Sequence, residues 1–311
     1  MTLQEETQNK KRLLEYLVRL ASDGVTPLIE KQVIGMLDNT LDLFTHLVKE
    51  GMFPKIQRTT VNKRVVKENR RIRDIKFLKY PPAEFVKSYG RCNKPGMSML
   101  YACFDPITAV NELRPDVGDL VTTTTWRAKP NAFMKYCPIF RVQPKGDVVN
   151  PRTLEYNQEF ERELRKKPEF LWEPTKLIVD FVAQEFSRRL PPGNHLDYVF
   201  TGYFADKILN QFFDGSIDAI YYPSVKGNLS FFNIAIKPEV FDRCYELVEV
   251  HDSIVTSVPR EPDGGCMSAG LGTSKAFDFA GGKIFWPEDS EGGHTKQNLA
   301  RWQMNYGLKL D

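Results

Sequence analysis

The residues from Gly90 to Pro115 read GRCNKPGMSMLYACFDPITAVNELRP, and they place Arg91, Tyr101 and Glu112 ten and eleven residues apart. A guanidinium offers forked donors that suit a diphosphate. A carboxylate can stabilise a sugar ring that develops oxocarbenium character. A tyrosine can stack on a heterocycle or bond a hydroxyl. The first interval crosses a Pro-Gly turn into a strand, and the second runs on through a short helix. Such a path can fold back so that the three side chains converge. Each residue also has a plainer reading. Glu112, followed by Leu113 and Arg114, could be an exposed helix-end charge. Arg91 could be a turn residue paired with Asp105, and Tyr101 could pack in the core.

The surrounding elements are legible from periodicity. Leu13, Leu14, Leu17 and Leu20 recur at helical spacing, and Val33, Leu37, Leu41, Phe44 and Val48 form a second amphipathic stripe after Pro27. Gly51 and Pro54 predict its stop. Leu100–Phe104 and Asp119–Trp126 read as strands, with a short helix opening at Asp105-Pro106 between them. Lys176–Arg189 and Tyr198–Phe213 read as helices, and Ile217–Tyr222 and Phe231–Ile236 as strands around a polar turn. Gln297–Tyr306 reads as a terminal helix. The order predicts an α+β fold rather than a doubly wound parallel sheet. The glycine-rich stretch between Glu261 and Gly293 reads as loops. Its Gly270–Lys275 segment lacks the residue order of a phosphate loop.

Composition narrows the classes. The chain has 311 residues, a formal net charge of +3, and hydrophobic and charged fractions of 41% and 27%. These are the values of a soluble globular chain of about two domains. No apolar run is long enough to span a bilayer, and the polar Met1–Lys11 segment has no signal-peptide core. Cys92, Cys103, Cys137, Cys244 and Cys266 are odd in number and scattered, as expected of reduced thiols in a cytoplasmic protein. No His motif points to a metal. Between Lys55 and Lys76 stand nine basic residues and two acids, Glu68 and Asp74. That run is either a solvated linker helix or strand, or a nucleic-acid contact, and the small net charge favours the linker.

The Gly90–Pro115 stretch resembles the RES domain family. The family pattern G-R-x-N-x-x-G-x-x-x-L-Y-x-A, then T-A-x-x-E, is met by Gly90, Arg91, Asn93, Gly96, Leu100, Tyr101, Ala102, Thr108, Ala109 and Glu112. A second element, D-G/A-I-x-Y-P-S with a nearby Asn, is met by Asp218–Ser224 and Asn228. A helix opening Y-x-x-T is met by Tyr198 and Thr201, and an upstream R-x-R strand by Arg71 and Arg73. The resemblance covers about residues 69–245. Cys92 departs from the aromatic or small residue common at its position.

This resemblance implies an ADP-ribosyltransferase-like split β-sheet core with flanking helices. It implies domains at 1–68 (a helical N-terminal domain and basic linker), 69–250 (the RES domain) and 251–311 (a glycine-rich extension). RES proteins are known as bacterial toxins that split NAD+ with water or phosphate, and many are paired with an antitoxin. The implied catalytic residues are Arg91, Tyr101, Glu112 and Ser224. The implied NAD+-binding residues are Arg71, Arg73, Asn93, Tyr198, Thr201 and Asn228. NAD+ is then a substrate, and neither a cofactor nor a metal is expected. Inorganic phosphate, a cognate antitoxin and a homo-oligomeric partner are further expectations, without membrane or nucleic acid. Some family members instead transfer ADP-ribose to a macromolecule, and these motifs do not separate the two reactions. The alternative of another class is a non-catalytic nucleic-acid-binding module built on the Lys55–Lys76 run.

Overall fold

The computed structural model describes residues 3–41, 46–141, 151–190, 193–225, 229, 231–258, 265–287 and 296–310. The chain opens with helices α1 (Leu3–Asp23) and α2 (Glu30–Leu41), then strands β1 (Lys49–Gly51) and β2 (Lys55–Val61) and the short helix α3 (Asn62–Val66). Next come β3 (Leu100–Cys103), α4 (Pro106–Leu113), β4 (Leu120–Ala128) and β5 (Met134–Pro138). Three helices follow, α5 (Pro151–Leu164), α6 (Trp172–Ser187) and α7 (Val199–Asp206), and then β6 (Ala219–Pro223) and β7 (Phe232–Ile236). The last part holds α8 (Pro238–Cys244), β8 (Tyr245–Ser257), β9 (Met267–Ser274), β10 (Ala276–Asp278), β11 (Lys283–Phe285) and α9 (Lys296–Tyr306). The fold is α+β, with a small helical N-terminal region and flanking helices. No described helix is long and apolar enough to cross a membrane.

The chain divides into two compact units. The first contains residues 1–51, 82–99 and 134–237. Its strands run in the order β1-β5-β6-β7. β5 and β6 are parallel and the other pairs antiparallel. The parallel pair needs a long crossover, and α5, α6 and α7 supply it. Helix α1 packs against α6, and α2 against α7. Leu17 on α1 and Leu37 on α2 are fully buried, as are Phe186, Phe200 and Phe204. The helical stripes read from the sequence therefore face this core. The second stripe ends at Leu41 as a described helix. Phe44 lies outside the described residues, Val48 is not helical, and Gly51 closes a strand rather than a helix.

The second unit contains residues 52–81, 100–133 and 238–311. Its strands run β3-β2-β4-β8-β9 and every pair is antiparallel. On β4 the residues alternate. Thr122, Thr124 and Trp126 are buried on one face, and Thr123 and Thr125 are half-buried on the other. A threonine-rich strand fits because β-branched side chains suit a pleated, half-buried surface. Helix α9 closes one side through Leu299, which meets Leu120, Ile254, Leu271, Leu308 and Leu310.

Two expectations are corrected here. The glycine-rich stretch is not a loop throughout, because Met267–Ser274 pairs with β8 and two further strands form a hairpin. Part of the basic run is a strand as allowed, but one built into the sheet rather than solvated, because Lys55–Val61 is flanked by β3 and β4.

Candidate active site

In the first unit the motif residues sit on a loop from Val86 to Met97 that is tied down at many points. Gly90 and Asn93 close a tight turn by exchanging backbone hydrogen bonds. Asn93 lies inside it and donates to the carbonyls of Ser88 and Lys94. Lys94 reaches the buried Asp206 at 2.6 Å, and Tyr89 donates to Glu30 of α2 at 2.8 Å. Gly202 on α7 lets the loop approach, since a Cβ there would stand 2.6 Å from the Asn93 carbonyl oxygen.

Arg91 projects from this turn to the end of α6. Its Nη1 donates to the carbonyl of Phe186 at 2.5 Å and faces that of Glu185 at 3.5 Å, and its Nη2 donates to Arg188 at 3.3 Å. These carbonyls belong to the last turn and the C-cap of the helix, where the Glu185 oxygen also accepts the Arg188 backbone N–H, and a cation there meets the negative end of the helix dipole. The guanidinium lies over the Tyr198 ring, 5.3 Å from its centroid. The Nε–H of Arg91 has no partner among the described residues.

An acidic group stands beneath this arrangement. Glu185 is buried and bridges to Arg188 at 3.1 Å. Burial raises its pKa to about 7; the Arg188 and Arg91 charges work against that rise and the Asp197 charge adds to it. Arg188 also donates to Ala21 of α1 and to the Asp197 carbonyl. Thr201 is buried and donates to the Tyr198 carbonyl at 3.3 Å. Ser224 follows the end of β6 and is fully buried, with its backbone N–H donating to the Phe231 carbonyl. Asn228 lies outside the described residues.

In the second unit Glu112 is the penultimate residue of α4 and is exposed. The helix starts at Asp105-Pro106 as the sequence predicts, with the Ala109 N–H donating to the Asp105 carbonyl. It ends where Arg114 turns to a positive φ of 47°. Arg64 donates to the carbonyls of Leu113 and Arg114 at 2.8 and 3.0 Å and so caps that end. A carboxylate at this position is opposed by the helix dipole at about 0.3–1 kcal/mol. The neighbouring Cys103 is buried, which pushes its thiol up to about 12, and the Asp105 and Glu112 charges push the same way. Tyr101 on β3 is half-buried, and Arg58 holds its carbonyl at 3.0 Å.

Arg71 and Arg73, expected from the resemblance to bind NAD+, are engaged by partners within the second unit. Arg71 is buried, pairs with Asp252 at 2.9 Å and lies 4.5 Å from the Trp286 ring centroid. Arg73 donates to the Leu310 carbonyl. Lys63 pairs with Asp116 and Asp119. With Arg58 and Arg64, this engages much of the basic run within its own unit.

A family model described as "RES domain" matches residues 70–254. The chain belongs to the RES domain family. No curated protein and no solved structure matches it. The structure brings together Arg91, Asn93, Tyr198 and Thr201 of the RES motifs in the first unit, the unit that also holds Ser224. It places Tyr101 and Glu112 in the second. The partners that fix the RES loop were not read from the sequence. Tyr89 and Lys94 are beside the motif, but Glu30, Glu185 and Asp206 are distant in the chain. Only the fold brings them near.

Proposed function

We propose that this RES domain protein breaks the nicotinamide–ribose bond of NAD+, with water or phosphate as acceptor, as a toxin component in the cytoplasm. With water, NAD+ and H2O give ADP-ribose, nicotinamide and a proton. Nicotinamide leaves as a neutral molecule and needs no general acid or metal. Glu112 stabilises the cationic sugar that its departure leaves. Arg91 turns its remaining N–H toward the diphosphate while its other donors hold the end of α6. Tyr101 stacks on nicotinamide or bonds a ribose hydroxyl, and Ser224 adds a hydrogen bond to the ribose or to Glu112 rather than acting as nucleophile.

The observation that carries this reading is the RES match over 70–254, which contains an exposed Glu112 near the C-terminal end of α4. The engaged basic run supports an enzyme over a nucleic-acid module. The test is NAD+ loss by purified protein, with and without inorganic phosphate, beside Glu112→Ala. Loss that depends on Glu112 is expected, and the product, ADP-ribose or its 1″-phosphate, names the acceptor. A folded Glu112→Ala protein as active as wild type would overturn the mechanism. Label from NAD+ fixed on a macromolecule would make the reaction ADP-ribosyl transfer.

A further inference from the structure

The second unit holds a cavity of about 290 Å3 on one face of its sheet. Its floor is Gln57 of β2, Thr123 and Thr125 of β4, and Glu249, His251 and Ser253 of β8; Val110 of α4, Cys266 and Ser268 form the walls. None of the residues assigned to NAD+ above lines it. Gln57, Cys266 and Ser268 lie outside the segment that matches the family.

One buried group in this cavity lacks a partner. The Gln57 side chain is more than nine-tenths buried. Its Nε2 donates to Thr125 Oγ1 at 3.4 Å, and its Oε1 bonds to nothing among the described residues. The two ends of the amide are interchangeable, so whichever way it is turned one end stays unsatisfied. Leaving such a group unpaired costs about 1–3 kcal/mol, and an apolar residue of the same shape avoids that cost. The neighbouring groups are polar and mostly uncharged. Thr123 is bonded to Thr59 at 2.8 Å, and His251 Nδ1 to Thr273 at 2.9 Å. Burial lowers the His251 pKa and so favours the neutral ring. Glu249 is paired with Lys275 at 3.0 Å. No Arg or Lys is among the lining residues, so nothing there compensates a phosphate. Among the described residues no cluster of His, Cys, Asp and Glu is placed to hold a metal ion. The volume is at the small end for ligand pockets, about 300–1,000 Å3, which suits a single ring system or a nucleoside rather than a dinucleotide.

We propose that this cavity is a second binding site, for an uncharged planar heterocycle whose amide-like edge pairs with Gln57 and Thr125. Nicotinamide and an unphosphorylated nucleoside share that chemistry. The site also touches the NAD+ machinery. Asn111 on α4 accepts the Cys266 backbone N–H at 2.9 Å, and Glu112 is the next residue. The wall of the cavity is thus tied to the helix that carries the carboxylate.

The test is calorimetric titration of the full chain with nicotinamide, adenosine and ADP-ribose, each alone, so that no turnover is needed and the result stands apart from the proposed reaction. Nicotinamide or adenosine is expected to bind, and which one does identifies the source of the ligand. Gln57→Leu should weaken that binding about tenfold, the loss of roughly one buried hydrogen bond, while melting at or above the wild-type temperature. Thr125→Val should weaken it in the same direction and serves if the first variant does not fold. Glu112→Ala should leave the affinity unchanged. Cys266 is the one half-exposed cysteine, the other four being buried, so the bound ligand should slow its alkylation by iodoacetamide. The proposal fails if neither heterocycle binds or if Gln57→Leu binds as wild type. It also fails if affinity is lost in Glu112→Ala but kept in Gln57→Leu, since the ligand would then occupy the NAD+ site.

Discussion

The turn that carries Arg91 and the helix end that carries Glu112 are built in opposite ways. Arg91 is half-buried, and its loop is fastened to α2, α6 and α7 by bonds between residues far apart in sequence. Glu112 is exposed on a two-turn helix whose end is capped by Arg64. In the proposed reaction the cation that holds the diphosphate needs a fixed direction, and packing in the first unit gives Arg91 one. A carboxylate that stabilises a nearby charge needs mainly position, and a short capped helix is enough. Substitution in the first region is therefore expected to cost stability as well as function, and at Glu112 function alone.

The largest effect expected is at Glu112. Glu112→Ala should lower the rate of NAD+ cleavage about 10²–10³-fold and leave the melting temperature unchanged. A fall in stability would break the comparison. Glu185 tests the first region by pH. Its folded pKa of about 7 lies above its ordinary value of 4.5. The folded state therefore binds more protons than the unfolded state in that window. The stability it contributes is fully present below about 4.5 and lost as pH rises through 7, up to about 3 kcal/mol. Melting at pH 5 and pH 8 should show wild type gaining on acidification relative to Glu185→Gln, whereas parallel slopes would remove this group from the account.

Arg91→Ala should destabilise by about 2 kcal/mol, because charge-assisted bonds to the end of α6 are lost, and should also weaken NAD+ binding. Denaturant unfolding with an unchanged midpoint would show that the bonds to α6 do not matter. Gly202→Ala should cost about 1–3 kcal/mol by forcing the turn away from α7, visible in the same unfolding curves. The smallest effect is at the tie to the N-terminal helices: Tyr89→Phe should cost about 1 kcal/mol. Equal stability of that variant would mean that α2 holds the loop by apolar packing alone.

Much of the fold was legible in the sequence. The stripes of α1 and α6, strand β4, the β6–β7 pair and the start of α4 at Asp105-Pro106 follow from short-range rules, whereas the RES motifs are placed by family resemblance. What was not legible depends on distant partners. β2 looked like a linker because Lys55, Arg58 and Gln57 are polar, yet it is flanked by β3 and β4. β9 looked like a loop because of Gly270 and Gly272, yet Gly270 lies close against the His251 ring, where an added Cβ would stand 3.0 Å from it. Arg71 is a diphosphate candidate by its match to the upstream R-x-R element, and its ion pair with Asp252, far along the chain, has no signal in the sequence. Nothing local signals that Val48 stands outside a helix or that the cluster forms around Glu185.

Arg91 grips the carbonyl oxygens of Glu185, Phe186 and Arg188, and every amino acid carries that atom in the same place. Side chains at the end of α6 can therefore drift without loosening the grip, so long as the helix stops at the same residue. Insertions or deletions are another matter, because one added residue rotates the carbonyls by about 100° around the helix axis. Among descendants of this chain, the length at the end of α6 should vary less than its residues do.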